Sequence, residues 1–191
     1  MRETSKATIR RLHSPGFQKW FAGDGIDIGS GDDPLGRWRN QFPLMRSCRP
    51  WDMGDGDAQT LPGVGAEAFD FVHSSHCLEH VRDPRAALVR WVEVTKVGGH
   101  VVVLVPDEDL YEQGVWPSRF NGDHKHTFTV QKAGSWSPVS VNVLELVRGV
   151  PRAQLVRLER LEHTMIGDVP RGTDQTLGVG EAAIEFVLRK G

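Results

Sequence analysis

A chain of 191 residues with 39% hydrophobic and 25% charged residues reads as one globular domain spanning 1–191, neither disordered nor collagen-like. Its longest apolar run, VVVLV at 101–105, is far short of the roughly 20 residues that a membrane span needs. The formal net charge of −2 and the two cysteines argue against a general nucleic-acid binder and against a disulfide framework.

In chain order, residues 1–23 come first. The first twenty hold five Lys/Arg against one Glu, and no apolar core follows as a signal peptide would require, so a cytoplasmic setting is expected. Arg10, Arg11 and Lys19 read as solvated, with contact to an anionic substrate as the competing role. GIDIG (25–29) is a short buried strand running into a glycine-rich turn. Pro34, Pro43 and Pro50 leave room for at most one short helix before a strand near Arg46–Trp51. FDFVHS (69–74) alternates and should be a strand.

Asp83-Pro84 forms an N-cap with proline at the first helical position. Leu88, Trp91, Val92 and Thr95 carry the helical spacing, and Gly98-Gly99 should end it. HVVVLV (100–105) is a strand covered on both faces. Residues 107–137 are loop-rich. SPVSVNVLELVRG (137–149) reads as a helix with a serine cap, and 153–163 and 182–190 as the last two strands. Strand and helix alternate, so the fold class is α/β with a mostly parallel sheet. Ligands on such sheets bind at the carboxyl ends of the strands.

The turn GIDIGSGDD (25–33) puts Gly29 and Gly31 directly after a strand, where a missing Cβ lets the backbone approach a ligand. Pro34 stands at the sixth position of a dinucleotide fingerprint, and no Gly-Lys-Ser/Thr follows, so neither that motif nor a P-loop is present. Between Pro50 and Val81 there is no Lys or Arg, against six Asp/Glu and three His. That stretch suits hydroxyls, amines or a cation better than phosphate.

Four segments together resemble the class I S-adenosylmethionine-dependent methyltransferases, in particular the small-molecule "type 11" group. Asp27-x-Gly29-x-Gly31 resembles their motif I, and GDAQTLPG (56–63) their Gly-Asp-Ala segment. FDFVHSSHCLEHVRDPRAAL (69–88) and KVGGHVVVLVPD (96–107) resemble their strands four and five. The resemblance implies a Rossmann-like, mostly parallel seven-stranded sheet with a C-terminal antiparallel strand and helices on both faces, with few helices between strands one and three. It implies S-adenosylmethionine as cofactor. Gly29, Ser30 and Gly31 would lie by its methionyl part, Asp27 near the amino group, Asp52 at the ribose hydroxyls, Asp57 and Ala58 at the adenine, and Ser74 and Ser75 below the sulfonium. Two departures stand out. Asp33 replaces the usual third glycine, and Asp52 and Asp57 are only five positions apart, where the family fits a helix and a strand. Asp55 is therefore the alternative ribose ligand.

Five of the eight histidines fall in two groups, His73/His76/His80 and His124/His126. His76-Cys-Leu-Glu79-His80 matches H-x-x-E-H, but a strand-to-helix turn cannot supply the long helix of a zinc protease. Some members of the resembling family place a divalent ion on Glu-x-x-Glu-His in this turn. His76, Glu79 and His80 are the equivalent ligand set, with His124 or His126 closing it. Imidazole and carboxylate suit Zn²⁺, Fe, Mn²⁺ or Ni²⁺ better than Mg²⁺. A packing and capping role is the competing reading. His124, His126 and His80 are the candidates to take a proton from an acceptor hydroxyl at neutral pH, and Tyr111, Trp116 and Phe120 could roof the acceptor.

The expected activity is methyl transfer to a hydroxyl of a small molecule, such as a sugar or glycan. A homo-oligomer completing the pocket is compatible with the short chain, and nucleic acid is disfavoured as a partner. The alternative is a methyltransferase-like domain that binds S-adenosylmethionine or a protein partner without turnover.

Overall fold

Four strands, β1 (Gly23–Ile28), β2 (Met45–Trp51), β3 (Phe69–Ser75) and β4 (Thr95–Pro106), are parallel neighbours. Two short strands, β5 (Thr127–Thr129) and β6 (Ser140–Asn142), form a separate parallel ladder. The chain then returns as β7 (Ala153–Leu161) and β8 (Ala183–Lys190). In the computed structural model, which describes residues 2–167 and 169–191, the main sheet has the order β2-β1-β3-β4-β8-β7. β8 runs antiparallel to both its neighbours, as the resemblance implied.

The sheet has six strands among the described residues, not seven. The segment between Asp52 and Ala68 makes only turns, because Gly54, Gly56, Pro62, Gly63 and Gly65 leave no run long enough for a strand. β2 is consequently the margin of the sheet, with Arg46, Ser47, Arg49 and Pro50 exposed on it.

Alternation along β4 divides the core. Val101, Val103 and Val105 pack with Ile26, Ile28, Val72 and Phe186 under helices α2 (Pro84–Val94) and α3 (Val143–Arg148). Val102 faces the other way, against Phe17, Phe21, Phe42 and Phe71. Helix α2 starts as expected: the Asp83 carboxylate accepts from the amides of Arg85 and Ala86, with Pro84 next. Gly98 and Gly99 do not end it. Thr95 already begins β4, and Gly99 lies so close to the Asp70 carbonyl that a Cβ there would sit 2.4 Å from it. Helix α3 is shorter than the expected 137–149, because Ser140–Asn142 pair as β6 and Asn142, not a serine, caps it.

The N-terminal segment corrects the expectation most. It forms helix α1 (Glu3–Leu12), followed by a 3-10 turn at Pro15–Phe21. Thr4, Ala7, Thr8 and Arg11 are buried at i, i+3, i+4 and i+7. Arg11 is fully buried, and Arg10 is half-buried and paired with Glu181 and Glu185, so neither is a freely solvated charge. Arg11 pairs with Glu185 on β8 at 2.7 Å, and its Nη1 lies 3.0 Å from His73 Nε2. Guanidinium only donates, so His73 Nε2 accepts and its Nδ1–H donates to Asp27 Oδ1 at 2.6 Å. Lys19 does remain exposed, over the Trp20 ring.

Burial pushes the Glu185 carboxyl upward, but Arg11 and Arg10 outweigh it and hold it down to about 2. Its folded value lies below the ordinary 4.5, so the stabilisation is complete above that pH and is lost as pH falls toward 2. Glu185→Gln leaves the fully buried Arg11 guanidinium without a counter-charge, while Arg10 keeps Glu181, and should cost about 3–5 kcal/mol in urea unfolding at neutral pH. The gap between wild type and variant should narrow as the unfolding series is taken to acid. A constant gap would contradict the buried ion pair.

Candidate active site

A cleft of about 680 Å³ opens at the carboxyl ends of β1, β2 and β3. Parallel register pairs Ile28 with Trp51 on one side and Ser74 on the other, so the turns after these strands lie side by side. Gly29, Asp52, Gly56, Asp57 and Ala58 line it together with His76, Cys77, His80, Val81 and Arg82. Gly29 has φ +73°, and a Cβ on it would stand 2.4 Å from Cys77 Cβ. Cys77 itself is nearly inaccessible, and burial pushes its thiol up to about 12, which removes it as a nucleophile.

Four of the expected cofactor residues, Gly29, Asp52, Asp57 and Ala58, therefore share this cleft. Asp52 Oδ1 accepts from the Met53 amide, which leaves that carboxylate further acceptor capacity, whereas Asp57 accepts from the Gln59 amide on Oδ1 and from Arg82 Nη2 at 3.4 Å on Oδ2. Asp55 instead accepts from the Asp52 amide and faces Arg49, outside the cleft lining. Asp27 lies beneath the floor. It is 1% exposed, and its two oxygens accept from the Leu35 amide and His73. Ser74 Oγ is bonded to the Ile28 carbonyl, whereas Ser75 Oγ is buried without a partner. Ser30 is buried, and Gly31 has φ +51°. Asp33, at the third-glycine position, accepts from the amide and hydroxyl of Ser5 and so fastens the turn to α1.

The donor set fits a cofactor with two ribose hydroxyls, a base and a cationic centre. The stretch from Gly29 to Ala58 offers carboxylates and close backbone approach, and the Arg82 guanidinium reaches Asp57 within it.

At the inner end of the cleft the chain leaves β3 through His76 at φ +53°, and Leu78–His80 make one 3-10 turn. This turns Glu79 inward, where it is fully buried with no hydrogen-bond partner on either oxygen. The amides of Lys125 and His126 bond to the Glu79 carbonyl, which docks the 121–126 loop on the turn. Glu79, His80 and His124 thereby come together, with one ligand atom of each within 4.8 Å of the others.

The tautomers follow from the partners. His80 Nδ1 lies 3.2 Å from the Asp123 carbonyl, and His124 Nδ1 lies 2.8 Å from Glu112 Oε1. A carbonyl and a carboxylate only accept, so both rings donate from Nδ1. Both Nε2 atoms then face Glu79 Oε1, at 4.0 Å from His80 and 3.9 Å from His124. Two ligands on one Zn²⁺, with bonds of about 2.1 Å, lie no more than about 4.2 Å apart.

His76 stands aside, between Glu79 at 3.5 Å and Glu3 at 3.6 Å. Burial disfavours its cation, but the two carboxylates outweigh that and raise its pKa. His126 is turned away, with Nε2 3.3 Å from the Arg82 carbonyl.

The acceptor-side loops are tied together by Glu108, fully buried and accepting from Thr127, Lys132, Ser135 and Ser140. It begins a π turn, Glu108–Glu112, capped by Asp107. Tyr111 and Phe120 pack at 5.5 Å, and Tyr111 lies 5.4 Å from the His124 ring. The sequence reading missed Glu3, Glu108 and Glu112. No periodicity or spacing marks them, because each contact crosses between loops or to α1.

Residues 18–137 match a family model described as "Methyltransferase domain". No curated protein matches the chain. Among solved structures, a SAM-dependent methyltransferase from Archaeoglobus fulgidus superposes with a TM-score of 0.60 at 15% identity, covering 100% of this chain and 95% of that one. One from Thermotoga maritima gives 0.57 at 19% identity, covering 98% and 91%. A chain from the complex of the Haloferax volcanii Trm112 methyltransferase activator with a methyltransferase gives 0.55 at 14%, covering 98% and 93%. At these identities the structural likeness speaks for the fold.

The contact between Gly29 and Cys77 is testable on stability alone. Gly29→Ala should destabilise by about 2–4 kcal/mol, from overpacking plus the left-handed φ. Adding Cys77→Gly should restore the steric part and leave the backbone part. Chemical unfolding of the two single variants and the double variant reads this directly, and strict additivity would rule out the contact.

Proposed function

Because the chain belongs to the methyltransferase domain family, we propose that it transfers a methyl group from S-adenosylmethionine to a hydroxyl oxygen of a small molecule, with a divalent cation held by Glu79, His80 and His124. One observation carries the choice of acceptor atom: a fully buried Glu79 carboxylate without a hydrogen bond faces two imidazole Nε2 atoms across about 4 Å, with His76 Nδ1 3.5 Å from the same oxygen. With both rings neutral, acceptors face acceptors. That is repulsive in a dry interior unless a cation or protons intervene. Vicinal hydroxyls of a sugar suit such a site, since two oxygens of one ring can reach one cation.

When bound, S-adenosylmethionine supplies a methyl group on a good leaving group, and the cation supplies Lewis acidity that lowers the pKa of an acceptor hydroxyl. The chain supplies position. Asp52 holds the ribose, Asp57 and Ala58 the adenine, and Gly29 with its neighbours admits the methionyl part. His80, the member of the cluster that lines the cleft, meets the acceptor, and Tyr111 and Phe120 exclude water above His124. Alignment of the two reacting atoms accounts for most of the rate.

Calorimetry with S-adenosylhomocysteine tests the cofactor placement. Asp52→Asn should weaken binding by roughly tenfold or more, the worth of a charge-assisted hydrogen bond, and Asp55→Asn should leave it within twofold. The reverse ranking would move the ribose to Asp55.

The cation is tested separately on chelator-treated protein titrated with Zn²⁺ or Co²⁺. Wild type should take one equivalent. Glu79→Gln should lose at least tenfold in metal affinity while keeping its affinity for S-adenosylhomocysteine. Intact cofactor binding with no metal uptake would overturn the cation and leave the Nε2 atoms to take the proton themselves.

A further inference from the structure

Glu112 lies outside the set proposed to hold the cation, and its surroundings give it a task. It is 1% exposed, at the end of the π turn, with Oε1 2.8 Å from His124 Nδ1. Its other oxygen is buried without a partner. No guanidinium or ammonium group pairs with Glu112 among the described residues. A buried carboxylate whose one ion-pair contact is an imidazole is poorly explained as a stability device, because its desolvation is not offset by a full opposite charge.

We propose that Glu112 is a positioning residue. By accepting the Nδ1–H of His124 it fixes that ring in one tautomer and one orientation, so that the Nε2 lone pair is presented to Glu79 and His80. Carboxylate–imidazole pairs of this geometry set ligand direction and raise ligand basicity at metal centres. His80 has only the Asp123 main-chain carbonyl in the same place, so His124 is the stronger donor of the two. The consequence for metal affinity rests on the cation proposed above. The tautomer itself does not.

The test uses the whole chain labelled with ¹⁵N, free of metal, at a pH where His124 is neutral. Two-bond nitrogen–proton correlations distinguish Nδ1–H from Nε2–H for each ring. Wild-type His124 should be the Nδ1–H tautomer. Glu112→Gln, whose amide oxygen still accepts, should keep it, and Glu112→Leu should release the ring to Nε2–H or to exchange between the two. Finding Nε2–H in wild type, or no change in Glu112→Leu, overturns the proposal.

With metal, Glu112→Leu should lose about 10–100-fold in Co²⁺ affinity with a changed visible spectrum. Glu112→Gln should lose less, and S-adenosylhomocysteine affinity should stay within twofold in both. If wild type takes up no metal while the tautomer pattern holds, the cation reading fails and the positioning role stands. If metal binds equally well to all three, the positioning role fails and the cation stands.

Discussion

A guanidinium buried completely inside a protein must find its counter-charge and most of its acceptors nearby, and Arg11 does so in a way that sets one whole side of this molecule. Its Nε donates to Glu185 on β8, Nη2 lies 2.7 Å from the same oxygen, and Nη1 points at His73 on β3. That contact leaves His73 a single way to be protonated, which in turn delivers a donor to Asp27 on β1. Asp27 then has one oxygen left, and it receives the amide of Leu35, where the chain leaves the glycine-rich turn. One buried charge on α1 is thus linked, donor to acceptor, to the backbone that would hold the cofactor. The Ser5–Asp33 bonds close the same circuit from the outside.

This explains what could be read in the sequence and what could not. Strands β1, β3 and β4 were legible because their apolar residues are continuous or alternate, and α2 was legible because Asp83-Pro84 announces it. Helix α1 was not. Its buried stripe is written in Thr4, Thr8 and Arg11 as much as in Ala7, so the helical period carries no hydrophobic contrast. An arginine reads as surface until its acid is known, and Glu185 lies far along the chain. The end of α2 was misplaced for a related reason: Gly99 is required by a close approach to Asp70 across the sheet, a contact between strands that local turn signals imitate.

The candidate site shows the same division. The residues along the Gly29 and Asp57 turns came from short contiguous motifs, and the cleft brings four of them together. The Glu79 cluster needed two loops to converge. His76-Cys-Leu-Glu79-His80 was visible as a string, but only the fold decides which members face inward. The left-handed His76 sends Glu79 under the turn, and the 121–126 loop then brings His124, not His126, to meet it. Asp27 has a motif position that suggests ligand contact, yet its oxygens are already occupied by the protein. Its influence on a ligand would pass through the shape of the turn.

The shortened segment after β2 bears on how such sheets can be trimmed. Removing a strand from the side of a parallel sheet turns an interior ladder into a free row of amides and carbonyls, a template for another chain to add itself. Here the border carries Pro50, which has no amide to offer, and the charged side chains of Arg46 and Arg49, engaged with Asp24, Asp70 and Asp55. Met45 and Trp51 at the two ends of β2 are buried, while most of the positions between them are exposed. A sheet that ends at such a strand therefore needs a segment there that refuses partners, in place of a packed interior one.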